Sequence, residues 1–147
     1  MSLQTDIIFI KALKSNDELM AMLPVHDVYN TGIIQPEEGK DNVKIPYVLV
    51  SYDGMTNEAD TKDDYEGDED KVEISIEVAA KNREQLADLV MMVRDTIREY
   101  FSNADPEDDD YSLVPLDYTV SASRVILDEN KPCHWQTLSY QCDTNVD

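Results

Sequence analysis

The stretch Lys71–Phe101, KVEISIEVAAKNREQLADLVMMVRDTIREYF, decides the fold, because two periodicities meet inside it. Over Lys71–Ala80, Val72, Ile74, Ile76 and Val78 point one way while Glu73, Ser75 and Glu77 point the other. Successive side chains of an extended chain alternate sides, so this segment is a strand with one buried and one polar face. At Asn82 the period changes. Leu86, Leu89, Val90, Val93, Ile97, Tyr100 and Phe101 recur at helical steps and form one apolar stripe. Arg83, Asp88, Arg94, Asp95, Arg98 and Glu99 lie largely off it. Asn82 is placed to cap this helix, with Gln85 three residues on to close a capping box. So short a link between strand and helix folds the helix back onto the sheet.

Working upstream, Pro46–Gly54 is a second strand. Its centre, Tyr47–Tyr52 (YVLVSY), is apolar on both sides except at Ser51, which suits a central strand covered on two faces. Between the strands lies Met55–Asp70, MTNEADTKDDYEGDED, where Glu58, Asp60, Asp63, Asp64, Glu66, Asp68, Glu69 and Asp70 outweigh the lone base Lys62. So much like charge does not enter a core, so this tract reads as a long acidic hairpin loop over residues 55–70. Further upstream, Leu3–Leu23 is helical, with Leu3, Ile7, Ile10 and Leu13/Lys14 at helical spacing. Ser15 and Glu18 have the form of a capping box that starts a second short helix or a kink, and Pro24 ends it. Val25–Asn30 is a short strand candidate, and Thr31–Lys44, with Gly32, Pro36 and Gly39, reads as loop.

Downstream of the long helix, Ala104–Asp110 is a second acidic loop. Leu113–Asp128 and Cys133–Asp143 are rich in Thr, Val, Ile, Tyr and Trp and read as strands joined by a turn over Asp128–Lys131. Residues 143–147 are expected to be a loose tail. The chain thus reads as a single α+β domain over 1–147. It has a mainly antiparallel sheet, an N-terminal helix and one long amphipathic helix packed on one face.

Composition narrows the function. The 147 residues hold 12 Lys and Arg against 32 Asp and Glu, a formal charge of −20 at pH 7. That excess repels nucleic-acid backbones and anionic membranes. The apolar run Ile7–Ile10 is too short for a signal core or a membrane span. Reduced thiols are expected at Cys133 and Cys142, which lie nine positions apart and face opposite sides of one regular strand.

The recognisable chemical motifs fail on spacing. Gly32, Gly39, Gly54 and Gly67 are too dispersed for a dinucleotide fingerprint. Gly39-Lys40 resembles a phosphate loop only until Ile34 and Asp41 are found where glycine and Ser or Thr belong. Aligning Gly67 with the glycine of a calcium loop puts Lys62 at the first ligand position, and in the second tract Asp110 would replace the glycine. His26, Cys133, His134 and Cys142 match no zinc spacing. No nucleophile elbow or metalloprotease motif is present. The expectation is no enzyme, with no catalytic, cofactor-binding or metal-ligating residue and no cofactor. Trp135, Tyr118 and Tyr140 are expected to pack or to serve an interface.

The order of elements adds a resemblance. An N-terminal helix, the PYVLV strand, a variable polar loop, the VEISIEV strand, the capped helix AAKNREQLADLVMMVRDTIREYF and a closing strand pair resemble the tail-terminator or tail-completion proteins of tailed bacteriophages and prophages, including related neck and minor tail proteins. The resemblance spans roughly Gln4–Asp128; the second acidic loop and the Trp135 strand have no match in it. It implies a non-enzymatic structural protein that forms a ring, commonly a hexamer, at the end of the tail tube, stops tube growth and joins the head. The implied partners are further copies of the chain, tail-tube proteins and neck or connector proteins. DNA would pass through without specific binding and no membrane would be involved. The implied location is the bacterial cytoplasm during assembly and then the virion tail or neck. A different class, an acidic interaction protein that imitates DNA in a basic groove, fits the same charge.

Overall fold

A computed structural model describes residues 5–24, 26–30, 45–58, 69–104, 107, 117–128 and 133–145. In chain order the elements are α1 (Thr5–Lys14), α2 (Asp17–Met22), β1 (Tyr29–Asn30), β2 (Tyr47–Glu58), β3 (Glu69–Ala80), α3 (Arg83–Ser102), β4 (Asp117–Ala122), β5 (Ile126–Asp128) and β6 (Cys133–Asn145). They build an open six-stranded sheet in the order β1-β2-β3-β6-β4, with β5 also pairing β6. Among the described strands, β1 and β2 run parallel and every other pairing is antiparallel. The class is α+β, as the switch of period at Asn82 requires.

The helices cover one face of the sheet. Val72, Ile74, Ile76 and Val78 of β3 are all fully buried beneath them, while Glu73 is exposed and Ser75 and Glu77 are half-buried. On α3 the buried residues are Leu86, Leu89, Val90, Val93, Thr96 and Ile97. Tyr100 and Phe101 pack at the margin of the same core. Asn82 caps α3 by accepting from the Gln85 backbone N–H at 2.8 Å. The Gln85 side chain reaches back one residue further than a standard box, accepting from the Lys81 N–H at 3.1 Å.

Several expectations are corrected. The inward stripe of α1 is Thr5, Ile8, Phe9, Ala12 and Leu13, whereas Ile7 is 46% exposed and Ile10 half-buried. Phe9 sets that rotation, because its ring meets Phe101 and Tyr140 edge-on with centroids 5.1 Å away in both cases. The cap of α2 is Asn16, not Ser15. Asn16 Oδ1 accepts from the Glu18 and Leu19 N–H groups, while the Ser15 hydroxyl closes α1 by donating to the Ala12 carbonyl at 2.6 Å. Among the described residues, strand β2 is covered by helices on one side only: Val48 and Val50 are buried, but Tyr47, Leu49 and Ser51 remain partly exposed because α1 and α3 lie on the opposite face.

The acidic connection is also shorter than 55–70. The β2–β3 ladder continues past Gly54 through the pairs Met55–Val72, Thr56–Lys71, Asn57–Asp70 and Glu58–Glu69. A bulge makes this possible. Tyr52 faces Ile74 but Gly54 faces Glu73, so Asp53 is the extra residue, and the inward parity passes from Tyr52 to Met55. Gly54 supports the bulge at φ 152°, a value that side-chain-bearing residues avoid.

At the other end, residues 143–145 are not a tail but the last part of β6, paired with Lys71, Asp70 and Glu69. Within its described part, the expected 113–128 strand is formed over Asp117–Ala122 and breaks after Ala122. Ala122 faces Leu138 and Ile126 faces Trp135, so the edge gains one residue on β6 there. Ser123 holds the gap by donating its N–H to the Thr137 carbonyl at 2.9 Å. Of the expected 25–30 strand, Tyr29–Asn30 is formed. Leu3, the loop 31–44, the tract 59–68, most of the 104–110 loop, residues 113–116 and residues 129–132 lie outside the described residues.

Candidate functional site

Among the described residues, one face of the sheet carries no helix, and its side chains come into register across β2, β3, β6 and β4. Ser51 faces Ser75, Ser75 faces Ser139, and Ser139 faces Ser121. Parity puts this serine row opposite the buried row Val50, Ile76 and Leu138. Its neighbours on the open side are the row Leu49, Glu77 and Thr137 and the row Glu73, Gln141 and Thr119. The result is a low hydroxyl band with carboxylates Glu73 and Glu77 on either side of Ser75, about 7 Å along β3 in each direction.

At one end of this face stand aromatic rings. Tyr29 and Tyr47 meet edge-on with centroids 6.4 Å apart. The Tyr47 hydroxyl donates to Glu77 Oε2 at 2.6 Å, a charge-assisted bond that holds the carboxylate over the sheet. Tyr47 lies opposite Ala79, Ala79 opposite Trp135 and Trp135 opposite Ile126. Trp135 therefore belongs to the open face, where it is half-buried. Tyr118 and Tyr140 belong to the other. Tyr140 is 2% exposed and packs on Phe9 and Tyr118, and burial raises its phenol well above the ordinary range. Two of the three aromatics singled out from sequence thus pack against the core margin, and one stands on the open surface.

A second surface lies where α3 overhangs β4. Met91, Arg94, Asp95 and Arg98 from the helix and Tyr118, Val120 and Tyr140 from the sheet line a groove of about 250 Å³. Arg98 Nη2 is 3.0 Å from Asp95 Oδ1. Arg94 acts on Tyr140, where its positive charge opposes the rise caused by burial. Met91 is 62% exposed at the groove. This groove concentrates guanidinium charge in a chain whose formal charge is −20. Arg94 and Arg98 were legible only as residues off the helical stripe; their meeting with β4 depends on the tertiary fold.

The candidate zinc residues are not brought together. Cys133 and Cys142 sit near opposite ends of β6, nine residues and about 30 Å apart. Both thiols are buried. His26 Nδ1 donates to the Met20 carbonyl at 3.0 Å. His134 Nδ1 is buried with no hydrogen-bond partner among the described residues. Among the described residues no three His, Cys, Asp or Glu side chains form a metal-holding group. Burial, reinforced by the neighbouring Asp143 charge, pushes the Cys142 thiol up to about 12, so it stays protonated and unreactive near neutrality. Among the described residues, no helix is long and apolar enough to cross a membrane. The chain matches no protein-family profile, and no curated protein sequence matches it.

Proposed function

We propose that this chain is a non-enzymatic assembly protein of a tailed bacteriophage or prophage, a tail terminator or head–tail completion component that acts as a ring. The observation that carries this reading is the sheet face that no described helix covers, a broad hydroxyl band flanked by Glu73 and Glu77. Its side chains are suited to solvation rather than to group transfer. The register neighbours of Ser75 are hydroxyls, and its same-face neighbours along β3 are the carboxylates of Glu73 and Glu77, about 7 Å away and beyond hydrogen-bond reach. Repeated around a ring, such a face makes a negative wall that repels a passing phosphate backbone. The order of elements supports the same reading.

Native mass spectrometry with negative-stain imaging of the purified chain tests the proposal. A closed ring is expected, with no retention on duplex DNA at about 0.1 M salt. A monomer or dimer at every concentration overturns the ring and favours the acidic DNA-mimic reading. Tight duplex binding overturns the repulsive lumen.

A further inference from the structure

The outward side of α3 divides its charges by sign. At about 100° per residue, Glu84, Asp88, Asp95 and Glu99 fall along one flank, and Arg83, Arg94 and Arg98 along the other. Met91, 62% exposed, lies on the midline between them, with Ala87 one turn before it. All seven charged residues are exposed. The helix by itself gains little from this arrangement. Glu84 and Asp88, Arg94 and Arg98, and Asp95 and Glu99 are like charges four residues apart, which repel along a helix. Arg83 stands in the first turn and Glu99 in the last, each of the wrong sign for the macrodipole. Arg98 reaches across the midline to Asp95 at 3.0 Å, and that pair joins the two flanks.

A face with one acidic flank, one basic flank and an apolar midline is complementary to a second copy of itself. When two such helices lie side by side in the same direction about a two-fold axis, the acidic flank of each meets the arginine flank of the other. Arg83 then faces the partner's Glu84. Arg94 faces the partner's Asp95, whose carboxylate has one oxygen for its own Arg98 and one for the incoming guanidinium. An antiparallel pair centred on Met91 does the reverse, setting Asp88 against the partner's Asp95 and Arg83 against the partner's Arg98. The sign pattern therefore selects the parallel pair. It also selects the face. Three of the four arginines in the chain stand on α3, so its outward side carries three bases against four acids in a chain of formal charge −20. Two copies approach here without the repulsion that the acidic tracts impose elsewhere. We propose that the outward face of α3 packs in parallel on α3 of a second copy, around Met91. The contact is isologous, so it joins two copies and stops, and it stands apart from the ring reading.

Cysteine cross-linking in the full chain tests it. Met91→Cys lies on the two-fold axis, so a disulfide-linked pair is expected under mild oxidation; the native thiols are buried. Arg124→Cys, exposed between β4 and β5, measures collisional cross-linking. A Met91→Cys yield no higher than this control overturns the proposal, whether or not the unmodified chain forms a ring. Glu84→Cys reads the direction. Parallel helices bring this position together in the two copies, so it should link to itself. Preferential linkage to an Arg98→Cys chain instead means antiparallel helices and overturns the parallel pair. In the Met91→Cys chain, Arg83→Glu sets a carboxylate against the partner's Glu84 and should lower the yield about five-fold. Adding Glu84→Arg exchanges the two signs and should restore it. A double exchange that stays low overturns the charge pairing. The changed side chains are exposed, and circular dichroism checks that each variant folds.

Discussion

Asn16 shows how much one polar side chain can join. Its Oδ1 caps α2, and its Nδ2 donates to Thr96 Oγ1 at 2.8 Å on α3. Thr96 in turn donates to the Met92 carbonyl at 2.6 Å, so a nearly buried hydroxyl has both its roles filled. Asn16→Ala removes the cap and the bond to Thr96 together and should cost about 2 kcal/mol in urea unfolding. Asn16→Asp keeps the cap acceptor but loses the donor to Thr96, and should cost less; equal losses would show that the cap contributes little. Cys142 carries a pH signature. Its folded value near 12 lies above its ordinary 9.0, so the folded state holds the proton more tightly than the unfolded one. Stability from this group is fully present below about pH 9 and is lost as pH rises toward 12. Tyr140 shifts in the same direction. The melting temperature should fall steadily across that window, and Cys142→Ala should flatten the fall. A Cys142→Ala profile parallel to that of the unmodified chain would remove this thiol from the account.

Among the elements, α3 was the most legible and α1 the least. A twenty-residue helix averages over many positions, so its stripe survives a few polar intrusions such as Thr96. In the ten-residue α1, apolar residues occur on more than one side, and spacing alone chose Ile7 and Ile10 as readily as Ile8 and Phe9. The rings of Phe101 and Tyr140 break that tie from elsewhere in the chain. The two candidate stripes make opposite mutational predictions. Phe9→Ala should cost about 3–5 kcal/mol and Ile7→Ala less than about 1 kcal/mol, both measured by chemical denaturation. Comparable losses at the two positions would mean that α1 is rotated from the orientation described. Strand ends were misread for a related reason. Pairing in β2, β3 and β6 continues into residues whose polarity suggests loop, because backbone hydrogen bonds at a sheet end do not require burial.

Over the whole molecule, the surplus of acid is a load on the folded state. With a formal charge of −20, self-repulsion is strongest at low ionic strength. Raising NaCl from about 10 mM to about 1 M shortens the screening length from about 30 Å to about 3 Å. The melting temperature of the chain should therefore rise by several degrees over that range. A flat or falling dependence would mean that the acidic tracts are already neutralised by partners or bound cations.

The sequence by itself determined the α+β class, the one-faced β3, the capped α3 and the exclusion of the familiar glycine-loop and zinc spacings. These rest on local periodicity and spacing, which survive whatever the chain packs against. The tertiary structure alone decided which side of α1 turns inward, that β2 is covered on one face, and that the acidic connection is partly strand. It also decided that Ser51, Ser75, Ser139 and Ser121 form one row and that Arg94 and Arg98 meet β4. Each of these depends on register or orientation between segments far apart in the chain. A register shift of one residue leaves a strand's own alternation unchanged but moves every cross-strand partner.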